Sequence, residues 1–113
     1  MQIYVDDSIE AIQKSILNNK VLIGSVRTFE NIQPDKDQAK KVLEEAAELY
    51  GAWESLDKGA SLDFENLEDE ACDLFTATCN LLAAFGIRDI QDAMRRCEKR
   101  NTEKGRFDNT SPF

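Results

Sequence analysis

Apolar residues recur at helical spacing along almost the whole of this chain. From about Asp7 to Asn19, Ile9, Ile12, Ile16 and Leu17 share one side of a first predicted helix. The stretch VLIGSVRTF, residues 21–29, fits a short strand or an extended connector, because a short apolar run does not separate the two. Pro34 ends it. Asp35 then opens a second helix running to about Asp57, with Gln38 three residues on as a capping-box variant and Gly59 as a stop. Its apolar seam is Ala39, Val42, Leu43, Ala46, Leu49, Tyr50, Trp53 and Leu56, while Lys41, Glu44, Glu45 and Glu48 fall on another side. SLDFEN leads into a third helix from about Phe64 to Phe85, closed by Gly86. Asp89 caps a fourth, from about Ile90 to Glu103, which Gly105 ends; the tail RFDNTSPF is polar. The pattern predicts an all-α, four-helix fold in a single domain spanning residues 1–113.

Charge and composition narrow the chemistry. The chain has 113 residues, with 14 Lys plus Arg against 22 Asp plus Glu, a formal net charge of −8. That balance argues against nucleic acid as a partner, since such affinity comes mostly from cationic contacts to phosphate. It leaves room for a small anionic substrate, because a bound cation reverses the local charge. There is no histidine, which excludes Ser-His-Asp and Cys-His catalysis and disfavours zinc. Three cysteines, Cys72, Cys79 and Cys97, read as buried apolar thiols in a reducing compartment. The acidic start MQIYVDDSIE lacks the apolar core of a signal peptide, and no apolar run reaches the length of a membrane span. A cytoplasmic protein without a membrane partner is the expectation.

Two pairs of carboxylates stand out against this background. Glu45 and Glu48 lie in KVLEEAAEL, and Glu70 and Asp73 lie in EDEACDLF. Each pair is spaced i,i+3, so its members share one side of a helix. Four convergent carboxylates suit a hard divalent cation, Mg²⁺ or Mn²⁺. The first pair alone reads as a solvated helix face. Asp73 weighs more: it is the one charge in ACDLFTATCNLLAAF, a helix segment apolar nearly all round. Burial there costs several kcal/mol, on the order of the penalty for any unpaired ion, unless metal or a cation compensates. A structural pair with Arg95 or Arg96 is the competing account. Glu70, Asp73, Ala77, Asn80 and Ala84 also share a stripe whose alanines leave room for a ligand.

The fourth helix and its exit carry the opposite charge. Arg95, Arg96, Lys99, Arg100, Lys104 and Arg106 cluster there. They complement the helix dipole, or they clamp the oxygens of a di- or triphosphate, with Asn101 and Lys104 nearest the mouth. Glu44, beside the first pair, is a candidate to support a metal ligand or to act as a base.

KVLEEAAEL followed by DEACDLFTATCNLLAAFGI resembles the MazG-like all-α nucleotide pyrophosphohydrolase superfamily, which includes phosphoribosyl-ATP pyrophosphohydrolases. Its hallmark, Glu-x-x-Glu, a spacer, then Glu-x-x-Asp, is met by Glu45, Glu48, Glu70 and Asp73. Asn80 and the exit NTEKGRF extend the likeness over about residues 36–107. The resemblance implies Mg²⁺-dependent cleavage of a nucleoside triphosphate between its α- and β-phosphates. It implies Glu45, Glu48, Glu70 and Asp73 as metal ligands; Glu45 and its neighbour Glu44 are the candidate catalytic residues. Lys41, Asn80, Asn101, Lys104 and Arg106 would contact substrate; Trp53 reads as core or as a base contact. It also implies a homodimer or homotetramer whose helices share a bundle. Phosphoribosyl-ATP is the alternative substrate, and a helical interaction protein without catalysis the alternative class.

Overall fold

The computed structural model describes residues 19–57 and 64–107. These form three helices: α1 (Lys36–Asp57), α2 (Phe64–Ala84) and α3 (Gln91–Glu103). The expected helix at about 7–19 lies outside the described residues except for Asn19, whose φ of 64° is left-handed. The stop expected at Gly59 also lies outside them. Residues 20–29 form no regular element, so VLIGSVRTF is a connector, and among the described residues there is no strand.

The helix ends follow local chemistry. Asp35 Oδ1 accepts from the Gln38 backbone N–H at 3.0 Å, satisfying one of the four free donors of the first turn. Only half of a capping box forms, because the Asp35 N–H donates to the Gln33 carbonyl at 2.9 Å. At the end of α2, Gly86 (φ 80°) donates to the Ala83 carbonyl and Ile87 to that of Leu82, a Schellman motif. The end of α3 repeats it: Gly105 (φ 71°) donates to Thr102 and Arg106 to Asn101. Both motifs need a residue in left-handed conformation, which glycine adopts without a Cβ clash. α3 begins one residue later than expected. Asp89 Oδ1 accepts from the Gln91 N–H at 2.9 Å.

α1 and α2 pack on one another. The contact stripe of α1 is Gln38, Val42, Glu45, Leu49, Ala52 and Leu56, all buried or half-buried. On α2 it is Leu67, Glu70, Leu74, Ala77 and Leu81. The sequence seam of α1 is therefore split. Val42, Leu49 and Leu56 turn inward, while Leu43 (71% exposed), Tyr50 and Trp53 (51% exposed) face away from α2. Tyr50 and Trp53 lie ring to ring at 5.7 Å. No Cα of α3 comes within 8 Å of α1 or α2. With α3 standing clear, α2 is not enclosed: Phe75 and Phe85 are exposed, and so is Asp73. Cys72 and Cys97 are exposed too, contrary to the expectation of buried thiols; Cys79 is half-buried, and all three are free.

Candidate metal centre

The contact stripes carry two acids into the seam. Glu45 is 7% exposed and Glu70 is half-buried, at positions where a helix pair ordinarily places apolar side chains. Asp73, one turn beyond Glu70, reaches the same place from the solvent edge. One carboxylate oxygen from each of Glu45, Glu70 and Asp73 lies within 4.8 Å of the others. Around a Mg²⁺ ion bound at about 2.1 Å, opposed ligand oxygens sit about 4.2 Å apart, so small side-chain rotations close the set.

Two oxygens in this cluster want a partner. Glu45 Oε2 and Glu70 Oε2 are buried and accept no hydrogen bond among the described residues. The other Glu45 oxygen, Oε1, lies 3.1 Å from Lys41 Nζ, whose pKa is raised first by its hydrogen bond to Glu45 and then by that carboxylate's charge. Glu48 is exposed and lies outside the set of three. Its carboxyl is nonetheless held above the ordinary range, first by a hydrogen bond shared with Glu45, then by the charge of Glu45, lost hydration and the charge of Glu70. A cation at the cluster would offset this crowding of negative charge. The residues present fit a hard divalent ion.

A cleft of about 650 Å³ opens beside the cluster. Lys41, Glu45 and Asp73 line it together with the connector residues Phe29–Gln33. Asn80 lines it as well, 2% exposed, with its Oδ1 accepting from the Phe29 N–H at 2.9 Å. That contact spans 51 positions of sequence and leaves no local signature. The connector wall is what sequence reasoning missed; only the polar run ENIQ after Phe29 hints at it.

Burial falls differently from expectation. The sequence argument rested on a desolvated Asp73, but the buried acid is Glu45, placed there by the α1 stripe. Asp73 has no ion pair with Arg95 or Arg96 among the described residues; Arg95 pairs with Asp92 on its own helix. Glu44 is exposed, 3.8 Å from Lys41 Nζ. The basic exit does not reach the acids within this chain. Arg106 Nη1 donates to Asn101 Oδ1 at 2.9 Å, Lys104 is exposed, and none of the three lines the cleft.

The sequence model of the phosphoribosyl-ATP pyrophosphohydrolase family matches residues 27–101, more than half of the chain. The chain belongs to that family. Phosphoribosyl-ATP pyrophosphohydrolases fall within the MazG-like superfamily that the acid motifs resemble. The family is one of pyrophosphohydrolases and is in general metal-dependent. The family match takes in the connector wall and both acid helices and stops short of Lys104 and Arg106. No curated protein and no solved structure matches the chain. Among the described residues no helix is long and apolar enough to cross a membrane.

Proposed function

We propose that the protein is a nucleoside triphosphate pyrophosphohydrolase that cleaves between the α- and β-phosphates, giving a monophosphate and pyrophosphate. The observation that carries this is the convergence of Glu45, Glu70 and Asp73 with two buried, unpartnered carboxylate oxygens beside a cleft. These three, joined by Glu48, would hold Mg²⁺ or Mn²⁺. When bound, such an ion neutralises phosphate oxygens and makes a water molecule more acidic.

The chain's own groups supply the rest. Lys41 sits at the junction of cluster and cleft, and its ammonium can move from Glu45 to a phosphate oxygen as the anion arrives. Glu44, exposed beside it, would take a proton from the attacking water. The water oxygen ends on one phosphorus, and the bridging oxygen leaves with the other. Phe29–Gln33 offer amides and apolar surface suited to a sugar and base rather than to phosphate, with the buried Asn80 behind them.

Asn101, Lys104 and Arg106 serve the phosphates in this reading only when a second copy of the chain brings them to the cluster. The exposed apolar residues Leu43, Tyr50 and Trp53 support a homodimer or homotetramer, because contiguous apolar surface of this kind marks contact sites. The matched family favours a second substrate, phosphoribosyl-ATP, cleaved at the same bond.

Pyrophosphate release from a panel of NTPs, dNTPs and phosphoribosyl-ATP, with Mg²⁺, tests both. Release from NTPs or dNTPs supports the first reading. Release from phosphoribosyl-ATP alone replaces it with the second. No release from any, with no Mn²⁺ bound by calorimetry, leaves a helical interaction protein.

A further inference from the structure

We infer that Asn80 and Arg88 are positioning residues that clip the connector Thr28–Gln33 against α2 and so set one wall of the nucleotide cleft. The inference rests on the pyrophosphohydrolase reading above and adds to it what fixes substrate affinity.

The connector has no ladder to hold it. It belongs to no regular element, and Asn31 bends it with a left-handed φ of 59°. Its backbone donors and acceptors still need partners. Two adjacent residues are tied down, Phe29 through its backbone N–H and Thr28 through its side-chain hydroxyl. Phe29 N–H donates to Asn80 Oδ1 at 2.9 Å, and Arg88 Nη1 donates to Thr28 Oγ1 at 3.3 Å. Among the described residues, no other hydrogen bond joins the connector to the helices.

The connector borders two open spaces, the 650 Å³ cleft and a second cavity of about 430 Å³ that it shares with Ala83 and Arg88. A segment so sparsely packed depends on its ties. Asn80 supplies one from within α2, on the same face as Asp73, and is itself buried, so its amide has a fixed direction. Arg88 supplies the other from just past the Gly86 turn. Among the described residues neither hydrogen-bonds to the acid cluster. Both act through the connector, which lines the cleft.

The separation is measurable. In Asn80→Ala and Arg88→Ala, KM for the nucleotide should rise about tenfold, the scale of one lost hydrogen bond, while kcat and Mn²⁺ affinity stay within about twofold of wild type. Thr28→Val should copy Arg88→Ala, and Thr28→Ser, which keeps the hydroxyl, should restore wild-type KM. The double variant Thr28→Val/Arg88→Ala should be no worse than either single one, since all remove one contact. Should Asn80→Ala fail to fold, the exposed Arg88 and half-buried Thr28 carry the test. Unchanged KM in Arg88→Ala and Thr28→Val overturns the inference. So does a fall in kcat or Mn²⁺ affinity with KM unchanged, which would place Asn80 at the chemistry. Wild-type protein inactive on every nucleotide overturns the functional reading and this inference with it; active wild type with unchanged variants overturns this inference alone.

Discussion

Lys41 Nζ holds one oxygen of Glu45 at 3.1 Å, while the other, Glu45 Oε2, is buried without a hydrogen-bond partner. The carboxylate is thus half-satisfied, and by a side chain that is itself 54% exposed. Lys41→Met should therefore lower the melting temperature of the metal-free protein, because it strips a buried charge of its one cation. Saturating Mg²⁺ should shrink the difference. Thermal melts of both proteins with and without Mg²⁺ measure it; a gap that metal leaves untouched separates Lys41 from the centre.

Asp73→Asn isolates function from folding. Asp73 is exposed, so its loss should change stability by no more than about 0.5 kcal/mol. Turnover should nevertheless fall by about two orders of magnitude or more, since a charged ligand is lost from the cation. Circular dichroism and pyrophosphate release together read the outcome. Wild-type activity in this variant would remove Asp73 from the site.

Glu70→Gln should behave in the opposite way. Glu70 Oε2 is buried and unpartnered, and an amide there can donate to a neighbouring carboxylate. The metal-free variant should be more stable by about 1 kcal/mol, the net worth of a hydrogen bond. Its melting temperature should no longer respond to Mg²⁺. A gain in stability with loss of activity is the usual signature of a strained functional site.

Glu48 gives a pH dependence with a definite sign. Its carboxyl sits above the ordinary value of 4.5 in the folded chain, so the native state binds that proton more tightly than the unfolded state does. Its contribution to stability is present below 4.5 and is lost as pH rises through the raised value. Wild type should therefore lose stability relative to Glu48→Gln across that window. Mg²⁺ binding within it should expel a proton, measurable as acidification of a weakly buffered solution.

Trp53 and Leu43 test the assembly. Sedimentation should show a dimer or tetramer at micromolar concentration, and Leu43→Glu or Trp53→Glu should yield monomers with little activity. A monomeric wild type at full activity would mean that Asn101, Lys104 and Arg106 play no part at the acid cluster.

The helix ends were plain in the sequence, because Asp35, Gly86 and Gly105 act through their immediate neighbours. The four acids were plain as a motif. Their environments were not. The apolar surface of α1 is wide enough to serve two contacts, and periodicity alone cannot say which flank meets α2. The outer flank, Leu43, Tyr50 and Trp53, looked like core, and Glu45, on the inner one, looked like solvated surface. Asp73 seemed buried because its helix is apolar all round, yet α3 leaves that helix uncovered. The tie from Asn80 to Phe29 joins distant positions through a backbone N–H, which no side-chain pattern records.

Glu45 and Glu70 stand in the seam where leucines would otherwise lock α1 to α2. With the proposed cation between them, the ion becomes part of what joins the two helices. Ligand at 100 times its Kd adds about 2.7 kcal/mol to a fold, a large share of the reserve of a small domain. The amount of intact protein in a cell would then follow the supply of free metal, and scarcity would remove the chain by proteolysis as well as by idling it.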